Sequence, residues 1–72
     1  MNGVQLESAN LSHADLTGAN LTEANLAYAD LTEANLYKAN LTGANLYKTY
    51  LTGAIGVDFT GALNVSPKYL KD

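Results

Sequence analysis

Seventy-two residues with a net charge of −3 and no cysteine bound the chain tightly. One small domain fits that length, and disulfides, thiol catalysis and thiolate metal sites are excluded together. Only Lys38 and Lys48 fall in the body of the chain, so the basic footprint that phosphate binding requires is missing and direct nucleic-acid binding is disfavoured.

The N-terminal residues Met1-Asn2-Gly3-Val4-Gln5 carry no basic region followed by an apolar run, and no apolar stretch is long enough to span a bilayer. The expectation is a cytoplasmic protein with no membrane contact. Val4-Gln5-Leu6-Glu7-Ser8 reads as the degenerate first unit of a five-residue repeat. From Ala9 to Leu51 a leucine returns every fifth residue, at Leu11, Leu16, Leu21, Leu26, Leu31, Leu36, Leu41, Leu46 and Leu51. An alanine stands two places before almost every one, with Asn or Asp between.

A period of five excludes regular elements. On a helix, five residues advance about 500°, so successive leucines would sit about 140° apart and form no apolar stripe. In a continuous strand an odd spacing would send them to alternate faces. Alanine and leucine can share one side of a short extended piece, after which the chain must bend. Ser12-His13, Thr17-Gly18, Thr22-Glu23, Thr42-Gly43 and Thr52-Gly53 suit such bends. Short sides and repeated bends give a coil that closes on itself, filled by Ala and Leu and paired through its backbone with the coils above and below.

Segments such as Ala19-Asn20-Leu21-Thr22-Glu23 and Ala44-Asn45-Leu46-Tyr47-Lys48 resemble the pentapeptide-repeat family, whose motif reads A(D/N)LXX. The resemblance runs from about Val4 to Gly61. It implies an all-β solenoid, a right-handed quadrilateral β-helix with four pentapeptides per coil and hence about three coils. It also makes a cyanobacterial source reasonable.

Under that reading residues 1–72 form a single domain with repeats over about 4–53. Register breaks at Ala54-Ile55-Gly56, because the old phase would put Gly56 in a leucine slot. The motif resumes at 57–61 with Phe59 as its core residue, and Ile55 and Phe59 are expected to plug the last coil. Residues 62–72 are expected to form a short C-terminal helical cap, a short helix or turn over 66–72 with Ser66 as N-cap, Pro67 at N1, and Tyr69 and Leu70 folded over the column end. Nothing ahead of Val4 resembles a cap, so the first coil is expected to leave an open edge suited to end-to-end stacking into a homo-oligomer.

The Asn/Asp column (Asn10, Asp15, Asn20, Asn25, Asp30, Asn35, Asn40 and Asn45) is expected to bond the backbone beside the bends or to link coils, rather than to hold ligands. Residues twenty apart should stack, placing Lys48 over Tyr28 and Ser8, and Tyr47 over Ala27 and Glu7. Tyr28, Tyr47 and Lys48 are therefore the candidate contact surface, with a Lys48–Tyr28 cation–π contact expected and Tyr37 and Tyr50 on neighbouring faces. His13, the sole histidine, should stack beneath Glu33; it lacks the companions a metal site needs. Ser12 beside it has no pocket in which a triad could converge.

The chain is thus expected to be no enzyme, to need no cofactor or metal, and to work as a rigid scaffold for a protein partner whose identity the sequence does not give. The alternative is a DNA-mimic regulator of a nucleic-acid enzyme such as DNA gyrase, a role of longer members of that family. It is disfavoured because Glu7, Asp15, Glu23, Asp30, Glu33 and Asp58 are scattered and interrupted by Lys38 and Lys48.

Overall fold

The computed structural model describes residues 3–70. Its repeating event is a turn. The carbonyl of each core leucine accepts the N–H of the residue three places on, as in Ala9 N–Leu6 O, Ala14 N–Leu11 O and Ala29 N–Leu26 O, all at 3.0 Å. The residue just before that donor always has a positive φ, which is the signature of a type II turn. Glycine fills this position at Gly18, Gly43 and Gly53, but Ser8, His13, Glu23, Tyr28, Glu33, Lys38 and Lys48 hold it too, with φ between 53° and 64°. Left-handed backbone is costly for residues with a Cβ. The bends are therefore set by the repeat, with glycine optional.

Between turns, Ala-Asx-Leu forms a straight rung whose central residue pairs in parallel with the residue twenty places later. Gln5 pairs with Asn25 and Asn25 with Asn45; Asn10 pairs with Asp30 and Asp30 with Tyr50. Two bonds make each pair, for example Asn25 N–Val4 O and Leu6 N–Asn25 O, both 2.8 Å. A register of twenty over a unit of five means four sides per coil. The rungs are single bridges rather than continuous strands, because a turn interrupts every side before a longer ladder can form.

Alanine and leucine point inward, as the spacing requires. Leu21, Leu26, Leu31, Leu36, Leu41 and Leu46 are fully buried, and Ala24, Ala29, Ala34 and Ala44 fill the space between them. Thr49 takes an alanine slot and stays buried because its hydroxyl donates to the Leu26 carbonyl at 2.6 Å. A buried hydroxyl without such a partner would be destabilising. Val4, Leu6, Leu11 and Leu16 of the first coil are only partly buried against this core.

The end of the column corrects two expectations. Ala54 and Ile55 keep the old register, with Ile55 paired to Asn35. Ile55 thus falls in an outward Asx slot, is 55% exposed, and plugs nothing. The register shortens only afterwards: Gly56 takes a positive φ, and Leu63 pairs with Asn45, eighteen residues away. Phe59 does pack on the core, as does Tyr69.

No α-helix forms among the described residues. In place of the expected helical cap, Pro67–Tyr69 makes one 3-10 turn, and Ser66 makes no side-chain capping bond. A turn so short has too few N–H groups in line to require one. The Tyr69 hydroxyl accepts the Leu51 N–H at 3.1 Å, which closes part of the column's upper edge. Leu70 points away, 56% exposed, rather than over the end. Lys71 and Asp72, the last residues of the expected cap, lie outside the described residues.

Candidate interaction surface

The outward side chains begin with the Asx column. Each Asn or Asp Oδ1 accepts the N–H two residues on, as in Ser12 N–Asn10 at 3.1 Å, Thr17 N–Asp15 at 3.1 Å and Thr32 N–Asp30 at 3.0 Å. The hydroxyls of Ser12, Thr17, Thr22, Thr32 and Thr60 bond the same oxygen, at 2.7 Å for Thr17–Asp15 and 2.6 Å for Thr32–Asp30. These bonds, from the hydroxyl first and the N–H second, hold the carboxyls of Asp15, Asp30 and Asp58 below the ordinary 3.8. Coil-to-coil bonds also occur, from Asn25 Nδ2 to Gln5 Oε1 at 3.4 Å and from Asn64 Nδ2 to Asn45 Oδ1 at 2.9 Å. The column is spent on turns and stacking, in agreement with the sequence reading.

The turn positions carry what is free to act. Tyr28 and Tyr47 meet edge to face, with ring centroids 5.7 Å apart and planes at 88°. Both remain open to solvent, at 50% and 45%. The expected Lys48–Tyr28 cation–π contact is not the one that forms. Lys48 Nζ lies 5.5 Å from the Tyr47 ring, and Lys38 pairs in the same way with Tyr37 at 5.4 Å. The lysine thus lies over the ring of its own chain neighbour, which itself meets Tyr28 at right angles. Tyr28, Tyr47 and Lys48 are nonetheless one cluster, on a corner fixed by the stacked turns.

Tyr37 projects from another corner and Tyr50 from the outward Asx slot of the rung after Lys48, both exposed. His13 and Glu33 are brought together, Nδ1 to Oε1 at 3.3 Å, on an open surface. Among the described residues no three His, Asp or Glu side chains converge as a metal site would need. Glu23 and Glu33 lie against Gly43 and Gly53 of the next coil, and Glu33 meets His13 of the coil below, so these carboxylates form no continuous row.

Sequence reasoning missed a groove of about 440 Å³ beside this cluster. It runs between the Tyr47–Tyr50 corner and the departing segment Asn64–Tyr69. Its only sequence signals are the irregular Thr49-Tyr50 pair, where the motif's Ala and Asx are absent, and Pro67, which turns the chain away.

Comparison with known families returns eight copies of the pentapeptide repeat, matched over residues 1–36, 19–55 and 29–63. Among solved structures, a pentapeptide repeat protein, Rfr23, from the cyanobacterium Cyanothece 51142 is 43% identical; the match covers 76% of this chain and 41% of that one, with a TM-score of 0.66. A pentapeptide repeat protein of the Arabidopsis thaliana thylakoid lumen matches 89% of this chain and 60% of its own at 24% identity and a TM-score of 0.57. HetL, a pentapeptide repeat protein involved in heterocyst differentiation regulation in the cyanobacterium Nostoc, is 38% identical over 75% of this chain and 30% of its own, with a TM-score of 0.31. The chain spans less than two thirds of the length of each of these proteins. No curated protein matches.

Proposed function

We propose, from the premise that this chain belongs to the pentapeptide-repeat family, that it is a non-enzymatic scaffold which captures a protein through Tyr28, Tyr47 and Lys48. Kinship with that family implies the right-handed four-sided β-helix, and the register of twenty agrees with its four sides.

One observation carries the reading. Two large aromatic side chains, packed edge to face at 5.7 Å, stay about half exposed on a corner whose interior is fully packed. Tyr28 and Lys48 stand there at φ of 64° and 53°, where glycine would cost less. Tyrosine brings a broad apolar face and a polar tip, and a fixed pair loses little rotamer entropy when a partner covers it. The core beneath is stiff because every rung from Gln5 to Ile55 is bonded to a rung above or below.

The test is capture of partners from a native host lysate by the wild type and by the Tyr28→Ser/Tyr47→Ser double variant. Partner recovery should fall at least about tenfold, the size expected when aromatic anchors are lost. The circular dichroism spectrum should not change. Equal recovery by both proteins would refute the role of this corner.

A further inference from the structure

The groove above Tyr47–Tyr50 exposes backbone as well as side chains. In the second coil Tyr28 N–H donates to the Tyr47 carbonyl at 2.9 Å, and the Ala29 carbonyl accepts the Tyr50 N–H at 2.9 Å. In the first coil Ser8 and Ala9 make the same two bonds, to Ala27 and Asp30, each at 2.9 Å. One coil higher, among the described residues, the Lys48 N–H and the Thr49 carbonyl have no backbone partner. The chain has left the coil path by then: after Leu63 the segment Asn64–Tyr69 makes no backbone bond to the coil and forms the far wall. An unpaired backbone edge with room beside it is a template for another chain.

The lower coils specify what fits. The group that accepts from Tyr28 and the group that donates to Ala29 belong to Tyr47 and Tyr50, three residues apart across a type II turn. The occupant must present a carbonyl and an N–H at that same spacing, so it is a bent segment and not a straight strand. Charge selects further. Lys48 and Lys68 line opposite walls, each with its ammonium over a tyrosine ring, at 5.5 Å and 5.1 Å. Among the described residues no carboxylate lines the groove, although the chain as a whole carries −3.

We infer that this groove receives an acidic turn from a loop of a partner protein, which pairs with Lys48 N–H and Thr49 C=O and places carboxylates near Lys48 and Lys68. This deepens the scaffold reading by naming the chemistry of the partner, and it rests on that reading only in taking the occupant to be a protein. Tyr47 and Tyr50 flank the turn, so capture at the tyrosine corner and in the groove is continuous.

The probe is the peptide acetyl-Glu-Pro-Gly-Ala-Glu-Glu-amide, in which Pro-Gly favours a type II turn and the Glu three residues after Pro supplies the N–H. It is titrated into 15N-labelled protein. The amides of Lys48, Thr49 and Tyr50 should shift, and that of Lys48 should become protected from exchange. The Lys48→Glu/Lys68→Glu variant, and a control peptide with every Glu replaced by Lys, should each bind at least about tenfold more weakly, since two close charge pairs are reversed. N-methylation of the pairing Glu nitrogen, which keeps the charge, should also weaken binding. Shifts centred elsewhere, equal binding of both peptides, indifference to N-methylation, or concentration-dependent shifts at these amides without peptide, showing a second copy in the groove, would each overturn the inference. Lysate capture lost in Tyr28→Ser/Tyr47→Ser and in Lys48→Glu but unaltered by Lys68→Glu would leave the scaffold standing and remove only the groove.

Discussion

Leu11 and Leu31 occupy the same slot of the same motif, one coil apart. Their units, Ala9-Asn10-Leu11-Ser12-His13 and Ala29-Asp30-Leu31-Thr32-Glu33, are nearly interchangeable, and the two are joined through Leu11 N–Asp30 O at 2.8 Å. Yet Leu31 is fully buried and Leu11 only partly so. Burial in this fold is thus conferred by the neighbouring coil and not by the motif. Each unit makes a turn and offers a rung; only stacking turns that rung into core.

The sharpest way to break the comparison is to truncate both leucines. Leu31→Ala should cost about 2–5 kcal/mol, the range for a fully buried leucine, and Leu11→Ala less than about half as much. Urea unfolding measures both, and equal costs would show that the first coil is as closely packed as the second. Thr49→Val probes the one buried hydroxyl among the described residues. It should cost about 1 kcal/mol, because the Leu26 carbonyl keeps its bond from Ala29 N–H at 3.0 Å and only the hydroxyl bond is lost.

A smaller effect separates Asp from Asn within the Asx column. The carboxyls of Asp15, Asp30 and Asp58 are held below 3.8 in the folded chain, so the unfolded state binds protons more readily. Their contribution to stability is present above 3.8 and is lost as the pH falls through the lower folded values. Melting temperature should fall on acidification in that window. The triple variant Asp15→Asn/Asp30→Asn/Asp58→Asn, whose amide oxygens accept the same bonds, should fall less; an unaltered acid profile would show that these bonds do not favour the ionised form. Smallest is Lys38→Gly at a left-handed turn. Relief of strain outweighs the added freedom of the unfolded chain by a few tenths of a kcal/mol, so the variant should melt slightly higher. A lower melting temperature would mean that the Lys38–Tyr37 contact matters more than the turn.

Much of the fold is legible in the residues because a period of five demands short sides and repeated bends, and the resemblance to the pentapeptide-repeat family adds the four sides that bring residues twenty apart into register. The leucine and alanine positions, the outward Asx column, the stacking of Tyr47 and Lys48 over Ala27 and Tyr28, and the His13–Glu33 meeting all come from placing residues twenty apart. The misreadings fall where that arithmetic stops. Ile55 reads as core only if the break is placed at Ala54, whereas backbone pairing with Asn35 carries the old register one rung further. Lys48 meets Tyr28 only if stacking alone decides, whereas its ammonium lies over the ring of its chain neighbour Tyr47. The C-terminal helix does not form: Ser66-Pro67 signals a start, but a single turn suffices to bring Tyr69 onto Leu51. The groove arises where the chain departs from the repeat, and no periodicity describes a departure.

Residue-resolved amide hydrogen exchange tests the claim that stacking, and not the motif, makes the core. In the second coil Asp30 and Asn35 donate downward to Ala9 and Ala14, and Leu31 and Leu36 donate upward to Tyr50 and Ile55. In the first coil Leu11 and Leu16 donate upward in the same way, while Asn10 and Asp15 have no acceptor among the described residues. The account predicts slow exchange at Leu11, Leu16, Asp30, Leu31, Asn35 and Leu36, and fast exchange at Asn10 and Asp15. Protection of Asn10 and Asp15 equal to that of Asp30 and Asn35 would contradict it.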